Sequence, residues 1–391
     1  MKTNLLRKTA RFCFLLYFIF SPFVLAEDSP VVQDASAYEL KAQSLLDSGK
    51  LIEAMAVAQE AIKINPNSAE AYATLTGIHQ AKGNWIAGLD AFKKTKELNP
   101  NIPRSYFYYG RLLLDQGLFD DAAEQFKKVE ELDPNYPDTH LYRGLALGNQ
   151  GDHMREIEEL TKASQVTKNK SVAFQSLAKV HLERKDLSSA LEFIEKAIHE
   201  SPKNAENYFL KGKIDKSLKR TKEAIQAFEM AIGLQNDYTD VYKELGPLYV
   251  EKGDWRRAAN AYENMGAESQ GAYHFSELGF YYQKSEEYDK AIEAYEKAIV
   301  LDPDDANNYF NIGIVYKLKK DWNNSILSYQ KAIEISPAEP EFYYGLAHAL
   351  CGSGDYLQAR AAANQSVTLG FNKAAELVAY ISKSHCGNSD V

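Results

Sequence analysis

One unit of 34 residues returns along most of this chain, and that spacing restricts the fold more than any other property of the sequence. The stretch Ala272–Asp305 shows it most clearly. Leu278, Gly279 and Tyr282 mark one face of a first predicted helix. Tyr288, Ala291, Tyr295 and Ala298 mark one face of a second, and Pro303 follows. Apolar residues three and four apart bury one side of a helix, and proline, which lacks an amide proton, ends it. The next unit repeats the pattern with Tyr309, Ile312, Gly313, Tyr316, Trp322, Ser325, Tyr329, Ala332 and Pro337.

Ten units fit, at 35–68, 69–102, 103–136, 137–170, 171–204, 205–238, 239–271, 272–305, 306–339 and 340–373, and only 239–271 is one residue short. The eighth position is small throughout, as in Ala42, Gly110, Gly144, Gly212, Gly279 and Gly313. The twentieth is mostly alanine, as in Ala54, Ala122, Ala190, Ala224, Ala258 and Ala291. Small side chains at both places let two helix backbones approach, so the helices of a unit should cross there. Larger residues, such as Tyr72, Leu75, Trp85 and Phe92 in the second unit, fill the space around the crossing. Pro66, Pro100, Pro134, Pro202, Pro303 and Pro337 recur at the thirty-second position and should stop the second helix.

These residues at this spacing resemble the tetratricopeptide repeat, and the resemblance covers most of the chain. It implies an all-α, right-handed superhelical solenoid of about ten helix-turn-helix units. The stretch Ala374–Lys383 presents Leu377, Val378 and Ile381 on one face and reads as a helix capping the open end, so that 374–391 forms cap and tail. Three units depart from the pattern. The fourth has Glu156 for the small residue and Lys168 for proline, the sixth has Asn236 for proline, and the seventh carries Gly246-Pro247 inside its first helix. Pro247 should kink or interrupt that helix, which predicts two rigid segments, 35–238 and 239–373, meeting at an altered angle.

The N-terminus reads differently. Lys2, Arg7, Lys8 and Arg11 precede an apolar run from Phe12 to Phe20, and Val24-Leu25-Ala26 suits a cleavage site. This is the pattern of a secretory signal peptide over 1–26, followed by a linker at 27–34, and it implies an exported, periplasmic or secreted protein of bacterial type. The apolar run is short for a membrane span, although retention as an anchor is the alternative. Cleavage would leave no integral span and would move the net charge from −9 to −13 by removing four basic residues. An acidic chain is a poor nucleic-acid binder. Two cysteines, Cys351 and Cys386, would remain, and an oxidising compartment leaves both a disulfide and two free thiols open.

No catalytic, metal-ligand or cofactor motif stands out, and the units leave no room for a separate catalytic domain. The expected function is a non-enzymatic scaffold or adaptor. In this family the first helices line a concave groove that holds extended peptides. By that resemblance the groove should present Arg104, Phe107, Tyr108, Arg111, Tyr142, Lys179, Lys213, Lys243, Asn307, Asn311 and Tyr344. Aromatic rings beside Arg or Lys suit a peptide with apolar anchors and a carboxylate. Acidic residues such as Glu70, Asp138, Glu206 and Glu244 share the face, so it is mixed in charge. Two other functions fit the same array: a chaperone-like holder of exported clients, and a component of polysaccharide export.

Overall fold

The computed structural model describes residues 34–266 and 271–385. The signal-peptide reading, most of the linker and Cys386 therefore lie outside the described residues. Among those residues there are 21 helices and no strand. The helices are α1 (Ala35–Asp47), α2 (Leu51–Ile64), α3 (Ala69–Ala81), α4 (Trp85–Leu98), α5 (Pro103–Asp115), α6 (Phe119–Leu132), α7 (Thr139–Asn149), α8 (His153–Val166), α9 (Lys170–Glu183) and α10 (Leu187–Glu200). They continue with α11 (Ala205–Ser217), α12 (Thr221–Leu234), α13 (Thr239–Glu251), α14 (Trp255–Glu263), α15 (Ala272–Lys284), α16 (Tyr288–Leu301), α17 (Ala306–Leu318), α18 (Trp322–Ile335), α19 (Pro340–Ser353), α20 (Tyr356–Thr368) and α21 (Ala374–His385). Each sequence unit is one pair of helices, and α21 follows the last pair. This is a helical-repeat solenoid.

Two compact units divide the chain at Ala163/Ser164, near the end of α8. In the first, α1, α3, α5 and α7 lie side by side as a layer of first helices, with the second helices packed behind them. In the second, α9 touches α11, and α15, α17 and α19 follow one another in the same way. The core is repeated rather than central. Position eight meets position twenty-four: a Cβ built on Gly110 would come within 2.9 Å of Phe126, on Gly212 within 2.5 Å of Phe228, and on Gly279 within 2.8 Å of Tyr295. The alanines at the twentieth position, from Ala54 to Ala359, are fully buried. Burying such rings is the main stabilising term, about 1.5–3 kcal/mol for each large apolar side chain.

Local signals set the ends of the helices. Asp34, Ser68, Asn204, Asp254, Asp305, Asp321 and Asp355 accept hydrogen bonds from exposed amides of the first turn, and Pro103 and Pro340 open α5 and α19. Every turn between the helices of a pair contains one left-handed residue: Gly49, Gly83, Gly117, Gly151, Lys185, Lys219, Gly253, Glu286, Lys320 and Gly354. A second device was not visible in the sequence. The phenol of the fourth position donates to the carbonyl six residues earlier, from Tyr106 to Pro100, Tyr208 to Pro202, Tyr242 to Asn236 and Tyr343 to Pro337. The prolines that end the second helices thus also supply an acceptor for the next unit.

Helix α13 runs unbroken from Thr239 to Glu251 with Pro247 inside it, so the expected interruption does not occur. Pro247 is exposed, so its ring faces outward and does not disturb the packed side of the helix. Its partner α14 has 9 residues where α16 has 14. In the fourth unit Glu156 is buried, and Gly148 makes the space for it: a Cβ there would lie 2.3 Å from the Glu156 carboxylate. His153 pairs with that carboxylate at 2.9 Å.

Candidate partner-binding face

The first-helix layer of the first unit gathers five of the expected residues. Arg104 on α5 is 24% exposed in its side chain; it forms an ion pair with the Glu70 carboxylate on α3 and donates to the Glu70 carbonyl at 3.1 Å. Phe107 and Tyr108 do not line an open groove as expected. They are 6% and 9% exposed and belong to the core. Phe107 packs on Phe126 at 5.9 Å, Tyr136 at 5.1 Å and Tyr142 at 5.4 Å between ring centres. A ring at the fifth position of the unit reaches the helix crossing, and that contact draws it inward.

The Tyr108 hydroxyl accepts from Gln43 Nε2 at 3.1 Å, and Gln43 Oε1 accepts from Thr74 at 3.3 Å. Burial raises the Tyr108 pKa, while Arg104 and Arg111 act in the opposite direction. Its phenol therefore stays neutral and accepts from Gln43. Arg111 lies 4.9 Å over the half-buried ring of Tyr142 on α7 and makes no ion pair among the described residues. Gln43 was not among the expected residues; it stands at the ninth position of its unit, as Arg111 does, and that register would have found it.

In the second unit the expected residues are less concentrated. Lys213 on α11 is exposed, and its Nζ lies 5.5 Å from the centre of Phe209. Lys179 on α9 is exposed. Lys243 is engaged with Asp240 at 3.1 Å. Lys216, which was not expected, reaches across to Glu244 on the next first helix at 2.6 Å. Asn307 is tied to its own helix start: its amide and side chain both donate to Asp305 at 3.0 Å. Asn311 is half-buried on α17. Tyr344 meets His348 edge-on at 4.6 Å and Phe371 at 5.1 Å. Burial, and then the charge of Lys317, lowers the His348 pKa.

The structure therefore brings Arg104, Phe107, Tyr108, Arg111 and Tyr142 together, and seats Lys213 on Phe209. Among the described residues no group of His, Cys, Asp or Glu is arranged to hold a metal ion. Among the same residues no helix is long and apolar enough to cross a membrane.

Comparison with known proteins agrees with the repeat reading. A family model described as TPR repeat matches residues 110–151, 281–320 and 315–354. Another, described as Tetratricopeptide repeat, matches residues 35–68 and 205–238. No curated protein matches the chain. Among solved structures, PilF of Pseudomonas aeruginosa is 18% identical, with 54% of this chain and 96% of that chain covered and a TM-score of 0.48. PilW, a type IV pilus biogenesis factor, is 19% identical over 55% of this chain and 98% of that one, with a TM-score of 0.49. Yeast Tom70 is 14% identical over 91% and 97%, with a TM-score of 0.35. The 34-residue period, the paired helices and both family models agree that this chain carries tetratricopeptide repeats.

Proposed function

We propose that the chain is a non-enzymatic scaffold that holds a protein or peptide partner on its first-helix face. Tetratricopeptide proteins bind protein partners, and the fold is typically an interaction scaffold. The observation that carries the reading here is the state of the cations on that face. Arg111 and Lys213 rest on aromatic rings, and neither is consumed by an ion pair among the described residues.

The test is a photo-crosslinking residue placed in native cells at Lys179 or Lys213, compared with Lys127 on the second helix α6. Adducts at the first two positions and not at the third support the reading. Adducts at Lys127 alone would move the binding surface to the second helices. The reading also places the protein in the cell envelope, on the strength of the basic and apolar N-terminal residues. N-terminal sequencing of the mature protein checks this; a chain beginning at Met1 and recovered from the cytoplasm would exclude it.

A further inference from the structure

The second helix of the seventh repeat is short, and a cavity of about 340 Å³ begins where it ends. Helix α14 has 9 residues where α16 has 14, so about 7 Å of helix is missing along one side at 1.5 Å per residue. Glu263, the last residue of α14, stands on the cavity wall. Phe275 and Leu278 of α15 and Ala294 of α16 supply apolar lining. His274 of α15 lines the cavity too, although it is only 8% exposed. Its ring is stacked on Tyr262 at 5.9 Å and meets Phe275 edge-on at 5.4 Å. Neither contact engages its nitrogens, and it makes no hydrogen bond among the described residues.

Buried polar groups are normally hydrogen-bonded, and His274 stands out against its own register. The third position of a unit is polar in four other repeats, and each of those side chains is satisfied. Ser105 donates to the Ile102 carbonyl at 2.8 Å, Thr139 to the Tyr136 carbonyl at 2.9 Å, Asn207 to the Ala197 carbonyl at 3.2 Å and Asn308 to the Asp305 carboxylate at 3.0 Å. Burial lowers the His274 pKa, so the neutral ring holds one open donor and one open acceptor. Two of the four charged side chains on the cavity are occupied: Glu263 accepts from the Tyr282 phenol at 2.8 Å, and Lys290 pairs with Glu287 at 2.9 Å. The other two, Glu293 and Lys297 of α16, make no ion pair among the described residues. They stand four apart, in the order that closes Glu158 on Lys162 at 2.8 Å and Glu192 on Lys196 at 2.6 Å. Lys297 turns instead onto Phe275, with Nζ 5.7 Å from the ring centre.

We infer that this cavity binds a free α-amino acid with a polar-tipped aromatic side chain, its ammonium on Glu293, its carboxylate on Lys297 and its side-chain tip on His274. Opposite charges left open about one helical turn apart call for a ligand that carries both, and in an α-amino acid both hang from one carbon. A simple carboxylate would leave Glu293 unmatched, and the two terminal charges of a peptide stand on different residues. The ring of the ligand packs on Phe275, Leu278 and Ala294, and the open edge of the imidazole meets its hydroxyl. The volume falls at the lower end of small-molecule sites, which suits one amino acid and not a longer segment. The cavity shares no residue with the proposed partner face, so the two readings stand or fall separately.

The experiment is isothermal titration of the full chain with L-tyrosine, with tyramine, which lacks the carboxylate, with the deaminated acid, which lacks the ammonium, and with L-phenylalanine. One site is expected for L-tyrosine. Tyramine and the deaminated acid should each bind about tenfold more weakly, as the loss of a charge-assisted bond implies. Phenylalanine should bind about three- to tenfold more weakly, for the loss of one neutral hydrogen bond. Glu293→Gln should bind L-tyrosine and the deaminated acid alike while still rejecting tyramine, and Lys297→Gln should do the converse. His274→Ala should bind tyrosine and phenylalanine alike. No heat with L-tyrosine up to its solubility limit, tyramine or phenylalanine bound as tightly as tyrosine, or the same loss for every ligand in both charge variants overturns the inference. Glu293 and Lys297 are exposed, so their variants keep the test decisive if His274→Ala does not fold.

Discussion

A glycine-to-alanine change can raise or lower the stability of this chain, and the sign is set by what lies opposite. Gly233 sits in α12 with nothing within 4 Å of a built Cβ. Gly279 sits in α15 with three atoms of the Tyr295 ring at 2.8–2.9 Å from its built Cβ. Tyr295 is fully buried, and its hydroxyl is directed to Gln283 at 3.2 Å, so the ring has no free end to swing aside. Both substitutions gain helix propensity of about 0.8–1 kcal/mol. Gly233→Ala should therefore stabilise by about that amount. Gly279→Ala adds a methyl group into a filled crossing, which costs about 1–3 kcal/mol. Because the propensity term is common to both, the difference between the variants isolates the packing term at about 1–3 kcal/mol. Urea denaturation of both proteins, with hydrogen exchange at α12 and α15 as local probes, measures it. A repeat array need not unfold in one step, so the local probes decide the outcome. A difference below about 0.5 kcal/mol would refute the crossing argument. The companion change Tyr295→Leu should recover most of the loss in Gly279→Ala, because it removes the opposing ring.

Three further outcomes are expected. Arg111→Ala with Lys213→Ala should weaken partner capture while the melting temperature stays within about 2 °C, since surface changes seldom exceed 0.5 kcal/mol; capture at the wild-type level would place the site elsewhere. Glu159, 5% exposed, is pushed up by burial but pulled down further by hydrogen bonds from His140 and Lys162 and the charge of Arg143, so its folded pKa lies below the ordinary 4.5. A lowered folded pKa contributes stability above the unfolded value that is lost as the pH falls through the folded one. Glu159→Gln should thus be less stable than wild type at pH 7 and approach it in acid below the ordinary carboxylate range; a gap independent of pH would refute the assignment. Pro247→Ala should stabilise α13, by up to about 3 kcal/mol, because an alanine supplies the amide proton and the helix propensity that an internal proline lacks, and slower amide exchange around residue 247 is the measurement.

The repeat was legible in the sequence because packing dictates it. Gly110, Gly212, Gly279 and Gly313 are forced by rings one helix away, and a requirement repeated every 34 residues cannot be hidden by local variation. Depth was less legible. Phe107 and Tyr108 were placed by register on the open face, but register gives a direction around the helix and not the distance a large ring travels toward the core. Glu156 read as a defect of the fourth unit. The compensation is Gly148 on the facing helix and His153 one turn away, a pair of changes with no fixed spacing across units. Asn307 read as a groove residue because its position said so, while its neighbour Asp305 holds it as part of a helix cap.

The left-handed residue in each turn has a consequence for the edge of the molecule where the turns emerge. The first compact unit uses glycine at all four turns, and the second uses Lys185, Lys219, Glu286 and Lys320 at four of its six. A side chain in that conformation costs about 1 kcal/mol relative to glycine. Just beyond these turns, at the second residue of each second helix, the first unit has Ile52, Ile86, Asp120 and Met154, and the second has Ser188, Lys222, Arg256, Asp289, Asn323 and Leu357, the four apolar ones all exposed. The turns of the first unit are thus free of that cost and flanked by three exposed apolar side chains, whereas those of the second are flanked mainly by polar ones and end on the exposed Leu357. Crowding should therefore make copies adhere through the exposed Ile52, Ile86 and Met154, while Lys222, Arg256 and Asp289 keep the matching positions of the second unit hydrated.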